Sequence, residues 1–572
     1  MNYITYLIFS LLTVSATAQD TIPMYPKGDF RSPLDIPLIL SGSFGEPRRS
    51  HFHNGLDIRT QEKEGLNVYA VADGYVSRIN VSPGGYGNAL YITHLNGFTT
   101  VYGHLLGFND TITSILRKRQ YEGKRFAVDI LLKPDMIPVK KGDVVAYSGN
   151  TGGSGGPHLH FEIRDVLERP INPFLFGIAI PDHIAPLVGG LKIYPLDSKR
   201  FFAAGYRVAV VKGAGDVYQT TAAVIKVNSP TVGIAVNTFD KMDNGIHSLG
   251  LFQLRLFDGD SLLYQYSVAR LSFDYTRCVI AQVDYPIFLK EGSRSFQKCF
   301  VELNNKLPAA YRALNRGLIN VADNKVHHIR IEATDYCGNI ATVKTSLQYD
   351  PAATTFVSKE VNYVKVLSPD IDNRFSTESF SIHIPGSCLL DTIYANYVAT
   401  APKSPSIISM VHKFDESYNQ LMDYADVSIK PTALPDKWKD KAIIIWQTET
   451  GGIAARASKW EGEMLTAKTR ELGSYYVMLD TTPPKIKPIN ITNGKNMHLA
   501  RTIIVKIADN LSGIEDFDAT IDNIWQLMEL DGKTGTLKME IPATLSAGEH
   551  SFKLIVTDGM KNKAVYSVIF NY

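Results

Sequence analysis

The sequence lacks an excess of charge of one sign and an apolar run long enough to span a membrane. Its 59 lysines and arginines nearly balance its 57 aspartates and glutamates, which leaves a formal net charge of +2. A protein that binds nucleic acid through a broad basic surface would carry a clear positive excess, so we expect no nucleic-acid partner. No stretch reaches the ~20 apolar residues of a spanning helix, so we also expect no transmembrane span.

Cysteine is scarce as well. The four cysteines are Cys278, Cys299, Cys337 and Cys388, and no two of them have a CxxC spacing. This spacing excludes the usual cysteine-rich zinc sites. In an exported protein they could form one or two disulfides, and as buried residues they could equally remain thiols. The sequence leaves these two alternatives open.

The first 18 residues are typical of a signal peptide. They contain no charged side chain, include an apolar run from Tyr6 to Leu12, and end in the tripeptide ATA. Small residues on both sides of the threonine match the site cleaved by signal peptidase, so we predict that residues 1–18 are removed before Gln19. An uncleaved anchor is disfavoured because the apolar run is too short. We therefore expect an exported protein of the periplasm or cell envelope, or an extracellular one.

The chain is too long for one hydrophobic core and divides into β-rich segments. Cores stop growing near ~250–300 residues, whereas the chain has 572 residues. Residues 66–105 and 139–164 consist of short alternating or β-branched runs separated by turn signals. This pattern predicts a mainly β protein with a first domain at residues 19–180. Residues 108–138 interrupt the pattern, as a surface excursion or as a lid over a cleft.

The second half of the chain contains an internal repeat. HHIRIEATDYCGN at 327–339 aligns without a gap with HSFKLIVTDGMKN at 550–562. A strand that leads into a Thr-Asp turn and returns through Asn is common at the last hairpin of an immunoglobulin-like sandwich. We therefore predict immunoglobulin-like β-sandwich modules at 181–350 and 481–572, with a further β-rich module at 351–480.

Three short segments concentrate side chains that suit a zinc site. They are HNGLD at 53–57, YGHL at 102–105 and GPHLHFE at 156–162. Imidazole and carboxylate are the ligands that Zn²⁺ prefers in the absence of thiolates, and a catalytic zinc typically has three protein ligands. Side chains alternate along a strand, so His158 and His160 share one face, and either could bind a metal on spacing alone. The same alternation places Tyr102 and His104 on one face.

Together these segments resemble the pattern HxGxD, YxHL and GxPHLHFE of the lysostaphin-type, or LytM-type, zinc endopeptidases of peptidoglycan. The similarity extends over residues 45–175. It implies an antiparallel-sheet lysostaphin-like peptidase domain, one bound Zn²⁺ and a substrate in the peptide part of peptidoglycan. The zinc ligands that it implies are His53, Asp57 and His160. The catalytic residues that it implies are His104 and His158, and which of them is the general base stays open.

The predicted function is that of a secreted zinc metalloendopeptidase that hydrolyses peptide cross-links of bacterial peptidoglycan. One alternative is a catalytically silent activator of other cell-wall hydrolases, or a cell-wall binding scaffold. All five positions carry the required residue types, which favours catalysis. A lipoyl or biotinyl carrier would explain the turns around VKKGDVVAYSG but not the histidines, and no lysine lies at a suitable hairpin tip. We expect the C-terminal modules to bind a glycan or a regulatory protein, or to act as spacers.

Overall fold

The structure is a computed structural model that describes residues 24–178, 180–196, 205–292, 296–307, 311–354, 362–432 and 434–572. The predicted signal peptide lies outside the described residues. The described chain is mainly β, as predicted. Within these residues, no helix combines the length and apolar character needed to cross a membrane.

The N-terminal part carries the predicted site residues. Its elements are β1 (Leu40–Gly42), β2 (Leu56–Arg59), β3 (Asn67–Tyr69), β4 (Gly74–Val81), β5 (Asn88–His94), β6 (Thr99–Gly103), β7 (Gly107–Phe108), α1 (Asp110–Gly123), β8 (Val128–Leu131), β9 (Pro138–Val139), β10 (Val144–Tyr147), β11 (His158–Arg164) and β12 (Pro170–Ile171). The large sheet has the order β1-β2-β11-β6-β5-β4-β8, with β12 beside β11 and β9 beside β4. A smaller sheet has the order β3-β10-β7. All of these pairings are antiparallel, which confirms the predicted antiparallel sheet.

Strand β11 lies between β2 and β6 and presents the site. Leu159, Phe161 and Ile163 alternate along it and are fully buried in the hydrophobic core. Burial of side chains of this size contributes about 1.5–3 kcal/mol each. Because strand side chains alternate, this apolar face fixes His158 and His160 on the other side of the sheet.

The insertion at 108–138 forms α1 and β8. Helix α1 begins after Asn109, whose side chain accepts a hydrogen bond from the amide of Ile112. It ends at Gly123, and the following residue, Lys124, has a left-handed conformation. Strand β8 pairs with β4 at the sheet edge, and β4, β5 and β6 separate it from β11. Strand β8 of the insertion therefore extends the large sheet at the edge away from β11.

Three further groups of strands follow. Residues 187–349 contain β13 (Leu187–Pro195), β14 (Tyr206–Val208), β15 (Val210–Lys212), β16 (Val217–Thr220), β17 (Ile225–Val227), β18 (Thr231–Phe239), β19 (Gln253–Asp258), β20 (Ser261–Ser267), α2 (Val279–Gln282), α3 (Tyr285–Glu291), β21 (Phe296–Lys298), β22 (Tyr311–Ala313), β23 (Ile319–Asn320), β24 (His327–Thr334) and β25 (Ile340–Tyr349). Residues 365–479 contain β26 (Lys365–Leu367), β27 (Asn373–Ser376), β28 (Phe380–Ile384), β29 (Ile393–Ala395), β30 (Tyr397–Thr400), β31 (Val411–Phe414), β32 (Gln420–Ile429), β33 (Ala442–Gln447), β34 (Ile453–Arg456), β35 (Ser458–Glu461), β36 (Met464–Glu471) and β37 (Gly473–Leu479). Residues 485–571 contain β38 (Lys485–Pro488), β39 (Lys495–Asn496), β40 (Thr502–Ala508), β41 (Ile514–Ile521), β42 (Ile524–Trp525), β43 (Glu529–Asp531), β44 (Thr536–Glu540), β45 (Glu549–Asp558) and β46 (Lys563–Asn571).

Each of these groups contains a pair of larger sheets. Residues 187–349 form the sheets β14-β13-β18-β21 and β15-β16-β25-β24-β19-β20-β22. Residues 365–479 form β27-β28-β32-β36-β35 and β30-β31-β37-β33-β34, and residues 485–571 form β38-β40-β44-β43 and β39-β46-β45-β41-β42. We call these groups the first, second and third two-sheet units.

One group of buried apolar side chains extends across the boundary predicted at residue 180. One continuous cluster of buried side chains includes Phe44 and Phe52 of the N-terminal part together with Val268 and Leu271 of the first two-sheet unit. The second and third units each have a cluster of their own, and Met422 of the second unit also joins the first cluster. The N-terminal part and the first two-sheet unit therefore share one core.

The repeated segments occupy matching hairpins. One repeat runs along β24 into β25, and the other runs along β45 into β46. His327 Nδ1 lies 2.7 Å from an oxygen of Asp258, and His550 Nδ1 lies 2.6 Å from an oxygen of Asp522. In each hairpin, the histidine at the equivalent position of the repeat thus contacts an aspartate outside the hairpin. All four cysteines are free thiols.

Candidate metal centre and catalytic histidines

Three donor atoms converge between β2 and β11. His160 on β11 is in register with Asp57 on β2, and His53 lies in the loop that leads into β2. His53 Nε2 is 3.0 Å from Asp57 Oδ1, Asp57 Oδ1 is 2.9 Å from His160 Nδ1, and the two imidazole nitrogens are 3.1 Å apart. Tetrahedral Zn²⁺ with bonds of about 2.0–2.1 Å separates its ligands by about 3.3 Å. The triangle therefore has the size and donor types of a zinc site.

Hydrogen bonds orient both imidazoles toward the centre of this triangle. His53 Nδ1 donates to the carbonyl of Ser43 at 2.8 Å, which leaves Nε2 as the donor atom toward a metal. His160 Nε2 lies 2.8 Å from Glu162 Oε1, which leaves Nδ1 in that role. Such partners fix the tautomer and ring position of a metal-binding histidine.

Asp57 is held from two sides. Its Oδ2 accepts a hydrogen bond from Arg48 at 3.0 Å, and its Oδ1 faces the histidines. Burial opposes ionisation of this carboxyl group, but the neighbouring histidines outweigh burial and hold its pKa well below the usual range. Asp57 is therefore a carboxylate, as a metal ligand must be.

Glu162 supports His160 and does not face the open side of the site. It is fully buried, and its carboxylate accepts hydrogen bonds from Tyr86 Oη at 2.5 Å and from Arg164 Nε at 2.7 Å. Burial opposes ionisation of Glu162, but Arg164 and His160 outweigh it and lower the pKa to about 2. For His160, burial disfavours the charged ring, yet Asp57 and Glu162 outweigh it and raise the pKa to about 9. The His160 ring thus lies between the carboxylates of Asp57 and Glu162.

His104 and His158 lie beside this triangle. Their ring centroids are 4.7 Å apart, and His158 Nε2 is 3.4 Å from Asp57 Oδ1. Each ring binds a backbone carbonyl through Nδ1: that of Thr151 at 2.9 Å for His104 and that of Gly156 at 2.8 Å for His158. A carbonyl only accepts, so Nδ1 carries the hydrogen in both rings.

His104 adopts an unusual backbone conformation. Strand β6 ends at Gly103, and His104 follows with φ 60°, in the left-handed region. Tyr102 points into the hydrophobic core, so the two residues do not share a face as strand alternation predicts. Burial lowers the pKa of His104 to about 3, with further contributions from His160 and His158. Its imidazole is therefore neutral at physiological pH.

Glycines permit the close packing around the site. A Cβ on Gly55 would lie 2.4 Å from the carbonyl oxygen of Phe161, so the third position of HNGLD admits no side chain. Gly152 has φ 68°, and a Cβ there would lie 2.3 Å from the amide nitrogen of Gly87. Gly155 and Gly156 have open space around them. Within residues 149–157, the open space that a substrate backbone could occupy thus lies beside Gly155 and Gly156.

The structure brings all five predicted site residues together and keeps two other histidines apart. His51 is exposed, and His94 is a buried structural residue whose ring binds Asp73 and Thr100. The sequence did not single out Arg48 or Tyr86, because no motif marks which distant side chain will meet a buried carboxylate.

Known protein families match two parts of the chain. The Peptidase family M23 model matches residues 51–117 and 130–173, and its gap falls within the insertion. The Zu5-like domain model matches residues 364–480.

Curated relatives are similar over the N-terminal part. The DD-carboxypeptidase/endopeptidase Mpg of Neisseria meningitidis serogroup B is 35% identical over 171 residues, which cover 29% of this chain and 33% of that protein. The peptidoglycan DD-endopeptidase ShyA of Vibrio cholerae is 34% identical over 161 residues, which cover 27% of this chain and 31% of that protein. The chain thus spans about a third of the length of these relatives. Among solved structures, a zinc containing peptidase from Vibrio cholerae is 29% identical with a TM-score of 0.20, covering 27% of this chain and 41% of that chain.

Proposed function

We propose that this chain, whose residues 51–117 and 130–173 form a Peptidase family M23 domain, is an exported zinc metalloendopeptidase that hydrolyses peptide cross-links of bacterial peptidoglycan. The observation that carries the proposal is the triangle of His53 Nε2, Asp57 Oδ1 and His160 Nδ1, with sides of 2.9–3.1 Å. Two further imidazoles lie within reach of it. The named activities of Mpg and ShyA support the choice of a peptidoglycan peptide as substrate.

In this proposal His53, Asp57 and His160 hold one zinc ion. When bound, zinc supplies a Lewis acid that polarises a carbonyl group and acidifies water. Arg48 and Glu162 keep the ligand atoms in place from outside the triangle. A buried, preorganised ligand set loses little free energy to rearrangement when the ion binds.

In this proposal His104 and His158 accept the proton of the attacking water and stabilise the developing negative charge. Both rings donate through Nδ1 to backbone carbonyls, so each presents Nε2 to the site. A neutral imidazole accepts the proton of the attacking water as general base, and a protonated one stabilises the oxyanion. The two rings are close enough to serve one scissile bond from the same side.

We also propose roles for the segments outside the peptidase domain. We propose that residues 1–18 direct export to the cell envelope, and that residues 181–350 and 481–572 are immunoglobulin-like modules. Residues 351–480 form the β-rich module between them. These modules position the peptidase through a glycan or protein partner of the cell wall.

The test is digestion of purified peptidoglycan by zinc-loaded protein, with products identified by mass spectrometry. We expect release of cross-linked peptides as monomers by the wild type and by His51→Gln, the matched control for an exposed histidine outside the site. His53→Gln and His160→Gln should lose both zinc and activity, whereas His104→Gln and His158→Gln should keep zinc and lose activity. Wild-type protein that binds zinc and releases nothing would contradict the proposal and favour an activator of other hydrolases.

A further inference from the structure

Two clusters of aspartates lie away from the peptidase site. The first carboxylate cluster consists of Asp182, Asp240 and Asp335, and the second consists of Asp480, Asp509 and Asp558. In each cluster, one carboxylate oxygen from each residue lies within 4.8 Å of the other two.

The two clusters occupy matching places. Asp182 lies just before β13 and Asp480 just before β38, so each enters a two-sheet unit at its first strand. Asn339 donates to the carbonyl of Asp182 at 3.1 Å, and Asn562 donates to the carbonyl of Asp480 at 3.0 Å. The first and third two-sheet units thus have the same arrangement of aspartates and asparagine just before their first strand.

Backbone amides already bind part of each cluster. Asp335 Oδ1 accepts hydrogen bonds from three backbone amides of the turn that follows it, and Asp182 Oδ1 accepts two, from Ile184 and Asp243. In the second cluster, Asp558 Oδ1 and Asp509 Oδ2 accept two such bonds each, and Asp480 Oδ2 accepts one from Ser512. These bonds leave Oδ1 of Asp240, Asp480 and Asp509 without partners within the described residues.

Buried oxygen atoms without partners point to a missing ligand in both clusters. Asp240 is 2% exposed and Asp480 is 1% exposed, and Oδ1 of each has no hydrogen-bond partner within the described residues. In the second cluster, Asp509 Oδ1 and the hydroxyl of Ser512 are also buried and unpartnered. Buried charges are normally paired or coordinate a metal. No lysine, arginine or histidine of the described chain forms an ion pair with any of the six aspartates.

The first cluster also borders a small cavity. The cavity has a volume of about 10 Å³ and is lined by Asp182 and Asp240, among other residues. This volume corresponds to about one water molecule or one ion.

We propose that each carboxylate cluster binds one Ca²⁺ ion. Carboxylate and hydroxyl oxygens select hard cations, and Ca²⁺ accepts six to eight oxygens at about 2.3–2.6 Å, so opposite ligands lie about 5 Å apart. The spacing within 4.8 Å fits this range. Mg²⁺ usually retains several waters, for which the small cavity beside the first cluster has no room. The ions would fix the entry segments at Asp182 and Asp480 onto the first and third two-sheet units.

The test is calcium titration of the full chain. The protein is treated with EGTA, reloaded with zinc and titrated with CaCl₂ by calorimetry, with thermal unfolding recorded in parallel. We expect two calcium sites, and an increase in Tm of about 5 °C or more at saturating calcium. Asp240→Asn and Asp480→Asn should each remove one site, and the double variant should remove both along with the increase in Tm.

Matched controls separate the clusters from general charge effects. Asp260→Asn and Asp518→Asn remove exposed carboxylates of the same two units and should keep both sites. Absence of calcium binding by the wild type would overturn the proposal, as would two intact sites in the double variant. Neither outcome depends on peptidase activity, so the proposed function is tested separately.

Discussion

Replacement of Glu162 by glutamine tests whether the buried carboxylate behind His160 supports the metal site. Glu162 accepts hydrogen bonds from His160, Tyr86 and Arg164, which occupy both of its oxygens. A glutamine has only one oxygen, so at least one of these donors must face an amide NH₂ group. If His160 loses its partner, the ring loses its fixed tautomer and orientation.

The expected loss of zinc affinity follows from this geometry. Removing such a support for a metal-binding histidine lowers metal affinity about 10- to 100-fold, which corresponds to about 1.4–2.8 kcal/mol. Arg164 is 4% exposed, so a glutamine that serves His160 instead leaves a buried cation without its main partner. We therefore expect Glu162→Gln to lower Tm as well as zinc affinity.

The assay is competition for zinc with a chromophoric chelator at pH 7.5, with folding checked by circular dichroism. Glu168→Gln is the matched control because Glu168 also binds Arg164, at 3.1 Å, but is 56% exposed and contacts no histidine in the described chain. Tyr86→Phe removes one hydrogen bond to Glu162 and should cause a smaller loss, below about 10-fold. Folded Glu162→Gln protein with wild-type zinc affinity would refute the reasoning.

Three further predictions concern packing and thiols. Truncation after residue 180 should give insoluble protein, because it cuts through the core that the N-terminal part shares with the first two-sheet unit. Truncation after residue 480 removes only the third unit, which has its own core, and should leave a soluble, zinc-binding chain. Gel filtration and zinc analysis would distinguish these outcomes. Gly55→Ala should lower zinc affinity at least 10-fold because its Cβ would collide with Phe161, while Gly84→Ala, with open space around it, should have no effect in the same assay. Alkylation of denatured, unreduced protein should modify four cysteines, and fewer modified residues by mass spectrometry would contradict the free thiols.

The sequence predicts the composition of the site better than its geometry. Strand alternation correctly separates His160 from the apolar Phe161, because period two is dictated by backbone geometry alone. Strand alternation fails at His104, because strand β6 already ends at Gly103 and His104 has a left-handed backbone conformation. Contacts such as Arg48 with Asp57 arise from folding of the whole sheet, so local patterns do not reveal them.

The contacts of the insertion at 108–138 also cannot be predicted from local sequence patterns. Its irregular pattern correctly marks a departure from the strand series, but neither its position at the sheet edge nor its partner is visible in the sequence. Arg117 of α1 pairs with Glu529 at 2.5 Å, and Tyr121 contacts Trp525 with ring centroids 5.3 Å apart. These partners lie about 400 residues further along the chain, in the third two-sheet unit. Exposed ion pairs of this kind contribute only about 0–1 kcal/mol, so they orient the unit more than they stabilise the fold.

Buried side chains and hydrogen bonds connect the two sides of the boundary predicted at residue 180. Ser43, whose carbonyl orients His53, accepts through its hydroxyl a hydrogen bond from the amide of Gly250 at 2.8 Å. Phe52, next to His53, donates its amide to the carbonyl of Thr276 at 3.2 Å. The loop that carries His53 therefore packs against the first two-sheet unit. This unit also carries Asp240 and Asp335 of the first carboxylate cluster, so that cluster and His53 lie on two parts of the chain that share one group of buried apolar side chains.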